Sequence, residues 1–210
     1  MSRSAWKARG LYAITDAQLL PGERLFVAVE AAIRGGAVLV QYRDKLGTAE
    51  ERLERATRLQ QLCQRLDCPL LINDDLELAL KVGAAGVHLG QSDGSLLEAR
   101  RQLGPDAIIG ATCHDSLELA QQAQAQQVSY VAFGSFFPSP TKPQAQPAPL
   151  TLLGEAKQTL QLPVVAIGGI TLESAPRVIE SGADLVAVIH ALFEGPDVQQ
   201  RATQFANLFT

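Results

Sequence analysis

Eight times along this chain a short run of apolar and β-branched residues gives way to a longer stretch with helical periodicity, and that alternation constrains the fold more than any other feature. The runs are Leu11–Thr15, Val38–Tyr42, Leu70–Asn73, Gly86–Leu89, Ile108–Thr112, Tyr130–Gly134, Val164–Ile167 and Leu185–Ile189. They are nearly continuous in apolar character rather than alternating with polar residues, as strands covered on both faces are. A repeated strand–helix pattern builds a parallel sheet, because a crossover must carry the chain back before the next strand can start.

The stretches between the runs carry helix signals. Ala49–Arg65 spaces Leu53, Ala56, Leu59 and Cys63 by three and four residues, an apolar stripe on a charged helix, with Thr48 placed to cap it. Ser95 precedes Leu96–Leu103, Asp115 precedes Leu117–Gln127, and Thr171 precedes Leu172–Ser181, each suited to an N-cap. Gly36, Gly83, Gly104 and Gly182 fall just past helical segments, where a left-handed residue ends a helix. Eight strand–helix units in 210 residues leave about 26 residues each, near the lower limit for a (β/α)8 TIM barrel. An open doubly wound sheet also alternates strand and helix, but ITDAQLLPG stands where a glycine-rich dinucleotide turn would follow the first strand. The expectation is an α/β fold, one TIM-barrel domain over residues 1–210, with 1–9 as a loose N-terminal extension.

Composition removes several function classes. Hydrophobic residues make up 47% and charged residues 19%, the balance of a globular chain. A net charge of −4 gives no basic face for nucleic acid, so any bound anion must be held by a local cluster. The segment MSRSAWKARG has no signal-like apolar run, and no stretch reaches the length of a membrane span. The three cysteines, Cys63, Cys68 and Cys113, are too few for a disulfide framework and lack companions for zinc, so a cytoplasmic location is expected.

Barrel enzymes carry their chemistry at the C-terminal ends of the strands, and the polar residues of this chain gather there. In QYRDK, alternation along an extended backbone puts Gln41, Arg43 and Lys45 on one side and turns Tyr42 and Asp44 away. A lone arginine at a rim is ordinarily a solvated charge. Two cations and an amide in register, joined by Lys142 from another loop, suit a polyanion such as a diphosphate. Asp74 and Asp93 end the neighbouring third and fourth runs, an oxygen-rich pair suited to Mg2+. Asp75 is better explained as a helix cap, and for Asp93 a turn-forming role in QSDG competes. Gly168–Gly169 and the end of the eighth run at Ile189–His190 lie where barrels build phosphate sites from backbone amides, though a glycine pair can also be only a tight turn. The stretch PSPTKPQAQPAP, with five prolines between a strand and a helix, reads as a functional loop.

Taken in order, GLYAITD, QYRDK, LINDD, GVHLGQSD, IGATCH, YVAFGSFFPSPTK, VAIGGIT and GADLVAVI resemble the thiamine-phosphate synthase family over residues 10–195. The resemblance implies an alkyl transferase of thiamine biosynthesis. Such enzymes join 4-amino-2-methyl-5-hydroxymethylpyrimidine diphosphate to a methylthiazole phosphate and release thiamine phosphate and diphosphate. It implies that Gln41, Arg43, Lys45, Asn73, Thr112 and Lys142 contact the pyrimidine diphosphate, within a stretch that also includes Tyr42 and Asp44. Arg43, Lys45 and Lys142 would be the catalytic cations and Asp74 and Asp93 the Mg2+ ligands. Ser139, Pro140, Thr141, Gly169, Ile189 and His190 would hold the thiazole phosphate. The partners implied are small molecules, with no nucleic acid or membrane, and a homo-oligomer is compatible with the sequence.

Departures from the family pattern are mild. Thr112 and Ser139 exchange one hydroxyl residue for another, and His190 replaces a common serine. His114 stands where related thiazole tautomerases carry a histidine, or serves only as a packing or helix-start residue. His88 reads as a satisfied barrel histidine and Cys113 as filler. A thiazole tautomerase is the alternative activity, and a noncatalytic thiamine- or phosphate-sensing barrel the alternative class. Both are expected to lose the acidic pair or Lys142, which this chain retains.

Overall fold

In the computed structural model, which describes residues 6–138 and 147–210, the eight apolar runs close into one parallel barrel in sequential order. The chain runs β1 (Gly10–Ile14), α1 (Arg24–Arg34), β2 (Ala37–Tyr42), α2 (Ala49–Arg65), β3 (Leu70–Asn73), α3 (Leu76–Val82), β4 (Gly86–Leu89) and α4 (Leu96–Leu103). It continues with β5 (Ile108–His114), α5 (Leu117–Ala125), β6 (Tyr130–Phe133), α6 (Thr151–Thr159), β7 (Val164–Ile167), α7 (Ala175–Glu180) and β8 (Leu185–Val188). A single turn, α8 (His190–Phe193), and α9 (Val198–Asn207), which packs beside α1, complete it. The expected (β/α)8 barrel is therefore the observed fold. Closure comes from β1 pairing with both β2 and β8, which leaves no open sheet edge.

Because side chains alternate across a strand, each strand feeds two cores. Leu11, Ala13, Val40 and Ile72 point outward into the layer between sheet and helices. Tyr12, Ile14, Leu39, Leu71, Tyr130 and Val165 fill the barrel interior. Trp6, in the segment leading into β1, packs on this interior cluster with its ring 5.9 Å from that of Tyr130. Arg9 lies over the Phe209 ring.

Most helix boundaries follow the sequence signals. Thr48 caps α2 with a full capping box to Glu51, an arrangement worth about 1 kcal/mol. Its buried face runs through Ala56, Leu59, Gln60 and Cys63, while Leu53 is 40% exposed and falls outside it. Ser95 caps α4 and Asp75 caps α3. Two starts move. Ser116, rather than Asp115, accepts the Leu119 N–H at the head of α5. Near α7, Thr171 is spent on hydrogen bonds with Ser174, so the helix begins at Ala175 with a proline in its first turn.

Candidate active site

A parallel barrel puts every strand's C-terminal end on one rim, so residues far apart in sequence meet there. Asp74 leaves β3 with φ 63°, a left-handed backbone that few residues other than glycine, asparagine and aspartate adopt. That turn brings its carboxylate against the Lys45 ammonium and, at 2.6 Å, the Asn73 amide. Its backbone N–H remains tied to the His88 carbonyl of β4 at 2.8 Å. Asp93 folds back over the end of β4, where it accepts the Gly90 N–H at 2.9 Å. The turn that QSDG forms is what sets the Asp93 carboxylate at the end of β4.

The Asp74 and Asp93 carboxyls come within hydrogen-bonding contact of one another. For Asp74, burial opposes ionisation, but Lys45, Asp93 and Asn73 together hold its carboxyl below the ordinary value. For Asp93, burial and the neighbouring Asp74 push the carboxyl up, against the Gly90 N–H and Lys45. Two acids that share one site cannot both ionise freely, and a cation between them relieves the conflict. Among the described residues no group of three His, Cys, Asp or Glu side chains is placed to hold a metal. The acidic pair alone nevertheless fits Mg2+, which keeps waters and takes one or two carboxylates together with substrate phosphate oxygens.

Toward β1, Arg43 reaches the Asp16 carboxylate at 3.3 Å, and its backbone N–H donates to Thr15 Oγ1 at 2.9 Å. Thr15 and Asp16 carry no role in the sequence reading. They close β1 as polar residues close the other strands, and that position was the available signal. Gln41 is 2% exposed and donates from Nε2 to the Tyr12 hydroxyl at 2.5 Å inside the barrel. Thr112 ends the interior face of β5, with its carbonyl accepting from Gln91 and its hydroxyl against His88. Gln91, Tyr12 and Tyr130 are likewise polar partners that the sequence reading did not single out.

The structure does not bring Tyr42 and Asp44 to the site. They point outward, as strand alternation requires: Tyr42 joins the layer under the helices and donates to Asp44 at 3.0 Å. The Asp44 side chain, 2% exposed, also takes Arg55 at 2.8 Å and the Leu46 and Gly47 amides. With both side chains turned away from the rim, the pair braces the loop that presents Lys45.

Across the rim, Gly168 and Gly169 have φ of 103° and 64°. A Cβ on Gly169 would lie 2.3 Å from the Pro138 carbonyl oxygen, so glycine is required for the β6 loop to cross here. The Phe137 N–H donates to the Gly168 carbonyl at 3.0 Å in that crossing. Ile189 packs at the edge of the interior cluster, and His190 opens α8. Ser139, Pro140, Thr141 and Lys142 lie outside the described residues. His114 is exposed, with φ 50°, at an irregularity in the β5–β6 pairing. Cys113 is fully buried, and burial pushes its thiol up to about 12, unsuited to a nucleophile.

A closed parallel barrel with charged strand ends on one rim defines the class, a (β/α)8-barrel enzyme. Residues 11–192 match the family described as thiamine monophosphate synthase, and the chain belongs to that family. A thiamine-phosphate synthase from Marinobacter nauticus is 59% identical over 202 residues, 95% of this chain and 90% of that protein. A solved thiamine phosphate pyrophosphorylase from Pyrococcus furiosus superposes with a TM-score of 0.86 at 34% identity, covering 96% of each chain. A 3-hexulose-6-phosphate synthase, at 17% identity and TM-score 0.67 over 96% of this chain and all of that one, shares the fold alone. The resemblance carried by the strand-end motifs therefore holds, and with it the enzyme class.

Proposed function

We propose that this enzyme condenses 4-amino-2-methyl-5-hydroxymethylpyrimidine diphosphate with 4-methyl-5-(2-phosphoethyl)thiazole to give thiamine phosphate and diphosphate, or with the carboxylated form of that thiazole to give the same products and carbon dioxide. The observation that carries this reading is the meeting of Asp74 and Asp93 beside Lys45 at adjacent strand ends. The aminopyrimidine can delocalise positive charge, so the C–O bond to diphosphate breaks first and its electron pair leaves with the diphosphate. The thiazole nitrogen then closes the new C–N bond with its own lone pair. No residue need remove a proton, consistent with a rim that offers cations, amides and two acids rather than a base–nucleophile dyad.

Asp74 and Asp93 would hold Mg2+, which when bound withdraws charge from the departing diphosphate. Arg43 and Lys45 would bind the remaining oxygens, joined by Lys142. Asn73 steadies Asp74 at 2.6 Å, and Asp16 orients Arg43. Gln41 and Thr112, set deeper in the barrel mouth, would receive the pyrimidine ring. Gly169, Ile189 and His190, with Ser139, Pro140 and Thr141, would take the thiazole phosphate. Among the described residues no helix is long and apolar enough to cross a membrane. A cytoplasmic setting with small-molecule partners suits the activity.

The direct test mixes purified protein with the pyrimidine diphosphate, the thiazole phosphate and Mg2+ and follows thiamine phosphate. Saturable, Mg2+-dependent product is expected. No turnover from folded protein rejects the reading.

A further inference from the structure

A chain of hydrogen bonds crosses the barrel interior beneath the rim. Gln41 Nε2 donates to the Tyr12 hydroxyl at 2.5 Å, Tyr12 and Tyr130 hydroxyls meet at 2.8 Å, and the Tyr130 hydroxyl meets His88 Nδ1 at 2.8 Å. His88 Nε2 then meets Thr112 Oγ1 at 2.8 Å. The two ends are residues assigned to the pyrimidine substrate, and the three between them have no role in the reaction described so far. Tyr12 and Tyr130 are 1% and 0% exposed and His88 is 8% exposed. The packing holds them in place. His88 stacks on Tyr130 at 5.6 Å and 18°, and Tyr12 meets the same ring edge-on at 5.9 Å. A Cβ on Gly110 would fall 2.0 Å from Tyr130 Cζ, so that glycine makes room for the ring.

The direction of this chain follows from counting protons. Gln41 donates to the Tyr12 oxygen, so the proton of Tyr12 goes to its other partner among the described residues, Tyr130. The Tyr130 proton then goes to His88 Nδ1. An imidazole that accepts at Nδ1 carries its proton on Nε2 and donates it to Thr112. Burial pushes both phenols above their ordinary values, so both keep their protons at neutral pH. The ends are left with defined character. Gln41 retains its Oε1 as an acceptor, and Thr112 retains its O–H as a donor.

Reversing the chain would turn both ends over together, giving a donor amide at Gln41 and an acceptor at Thr112. A mixed arrangement strands a phenol proton in a dry interior and is disfavoured. A 4-aminopyrimidine offers an exocyclic N–H donor and ring-nitrogen lone pairs, which complement the direction derived from the proton count. A 4-oxopyrimidine offers a carbonyl acceptor and a ring N–H donor, which complement the reverse.

We propose that Tyr12, Tyr130 and His88 are positioning residues that fix the hydrogen-bond polarity of Gln41 and Thr112, and thereby select a 4-aminopyrimidine over its 4-oxo counterpart. The proposal rests on the functional reading given above. Sites built around buried hydrogen bonds discriminate strongly between such isosteres, so the wild type should bind the amino diphosphate at least about 100-fold more tightly than the 4-oxo analogue.

The test has three parts. Nitrogen-15 NMR of the full-length protein labelled in histidine should show His88 as the Nε2–H tautomer; an Nδ1–H signal overturns the direction. Titration of Tyr130→Phe with the two pyrimidine diphosphates should show the amino-over-oxo preference falling by about tenfold or more, with affinity for inorganic diphosphate retained. An unchanged preference overturns the proposal, as does an equal loss of inorganic diphosphate binding, which marks general damage. Tyr12→Phe breaks the same chain one link away and serves where Tyr130→Phe does not fold. Wild-type protein that binds neither pyrimidine diphosphate strikes the functional reading instead, and the tautomer measurement still judges the relay.

Discussion

The rim has two halves built on different principles. Between β2 and β4 it is made of side chains: Lys45, Asn73, Asp74 and Asp93 touch one another, and charge governs the arrangement. Between β6 and β8 it is made of backbone. Phe136 and Phe137 donate to the carbonyls of Ile167 and Gly168, Ala148 donates to Ser135, and the glycines supply the required φ values. The first half should tolerate small backbone shifts but not a change of charge. The glycine crossing of the second half should be intolerant of a single methyl group.

The sharpest way to break that contrast is Asp93→Ala. Turnover should fall by on the order of 100- to 1000-fold, as when an electrostatic partner of a leaving group is lost, while thiazole phosphate binding holds within about twofold. Steady-state kinetics with an equilibrium binding measurement decides it, and equal losses would count against the assignment. Gly169→Ala should do the reverse. With φ at 64° and a Cβ 2.3 Å from the Pro138 oxygen, the substitution should cost about 1–3 kcal/mol in denaturant unfolding. It should also weaken thiazole phosphate more than pyrimidine diphosphate. A neutral result would show that the backbone half is softer than its contacts suggest.

Smaller effects sharpen the picture on the side-chain half. Asp16→Asn loosens Arg43 and should raise KM for the pyrimidine diphosphate by about 3- to 10-fold with a lesser change in kcat. A change confined to kcat would remove Asp16 from a positioning role. The last expected effect concerns acid. Burial works against ionisation of Asp44, but the Gly47 and Leu46 amides, Arg55 and Tyr42 outweigh it and hold its carboxyl below the ordinary 3.8. Because the folded value is the lower one, the stabilisation is fully present above the unfolded value and drains away as pH falls through the folded one. Wild-type Tm should therefore drop more steeply between pH 5 and 3 than that of Asp44→Asn; parallel curves would contradict the assignment.

Sequence legibility divides along the same line. Charged residues at strand ends are conspicuous against apolar runs, so Asp74, Asp93, Arg43 and Lys45 could be read directly, and α2 was bounded by its capping threonine and final arginine. The backbone half shows only as glycines, whose meaning depends on a crossing loop that no local pattern announces. Asp115 and Ser116 stand side by side as equally good caps, and only the folded turn chooses Ser116. Tyr42 and Asp44 have their side chains where strand alternation puts them, on the outward face of β2 and its loop. Tyr12 and Tyr130 were hidden because an aromatic residue inside an apolar run reads as filler, and its hydroxyl matters only once the barrel closes.

Trp6 gives the floor of the barrel a bearing on its mouth. Its indole rests against the same phenol that sits midway along the buried polar chain. It packs on the interior cluster and contributes to the complete burial of the Tyr130 ring. Trimming or crowding the segment before β1 should then be felt first at the aromatic ring on which the buried polar chain turns.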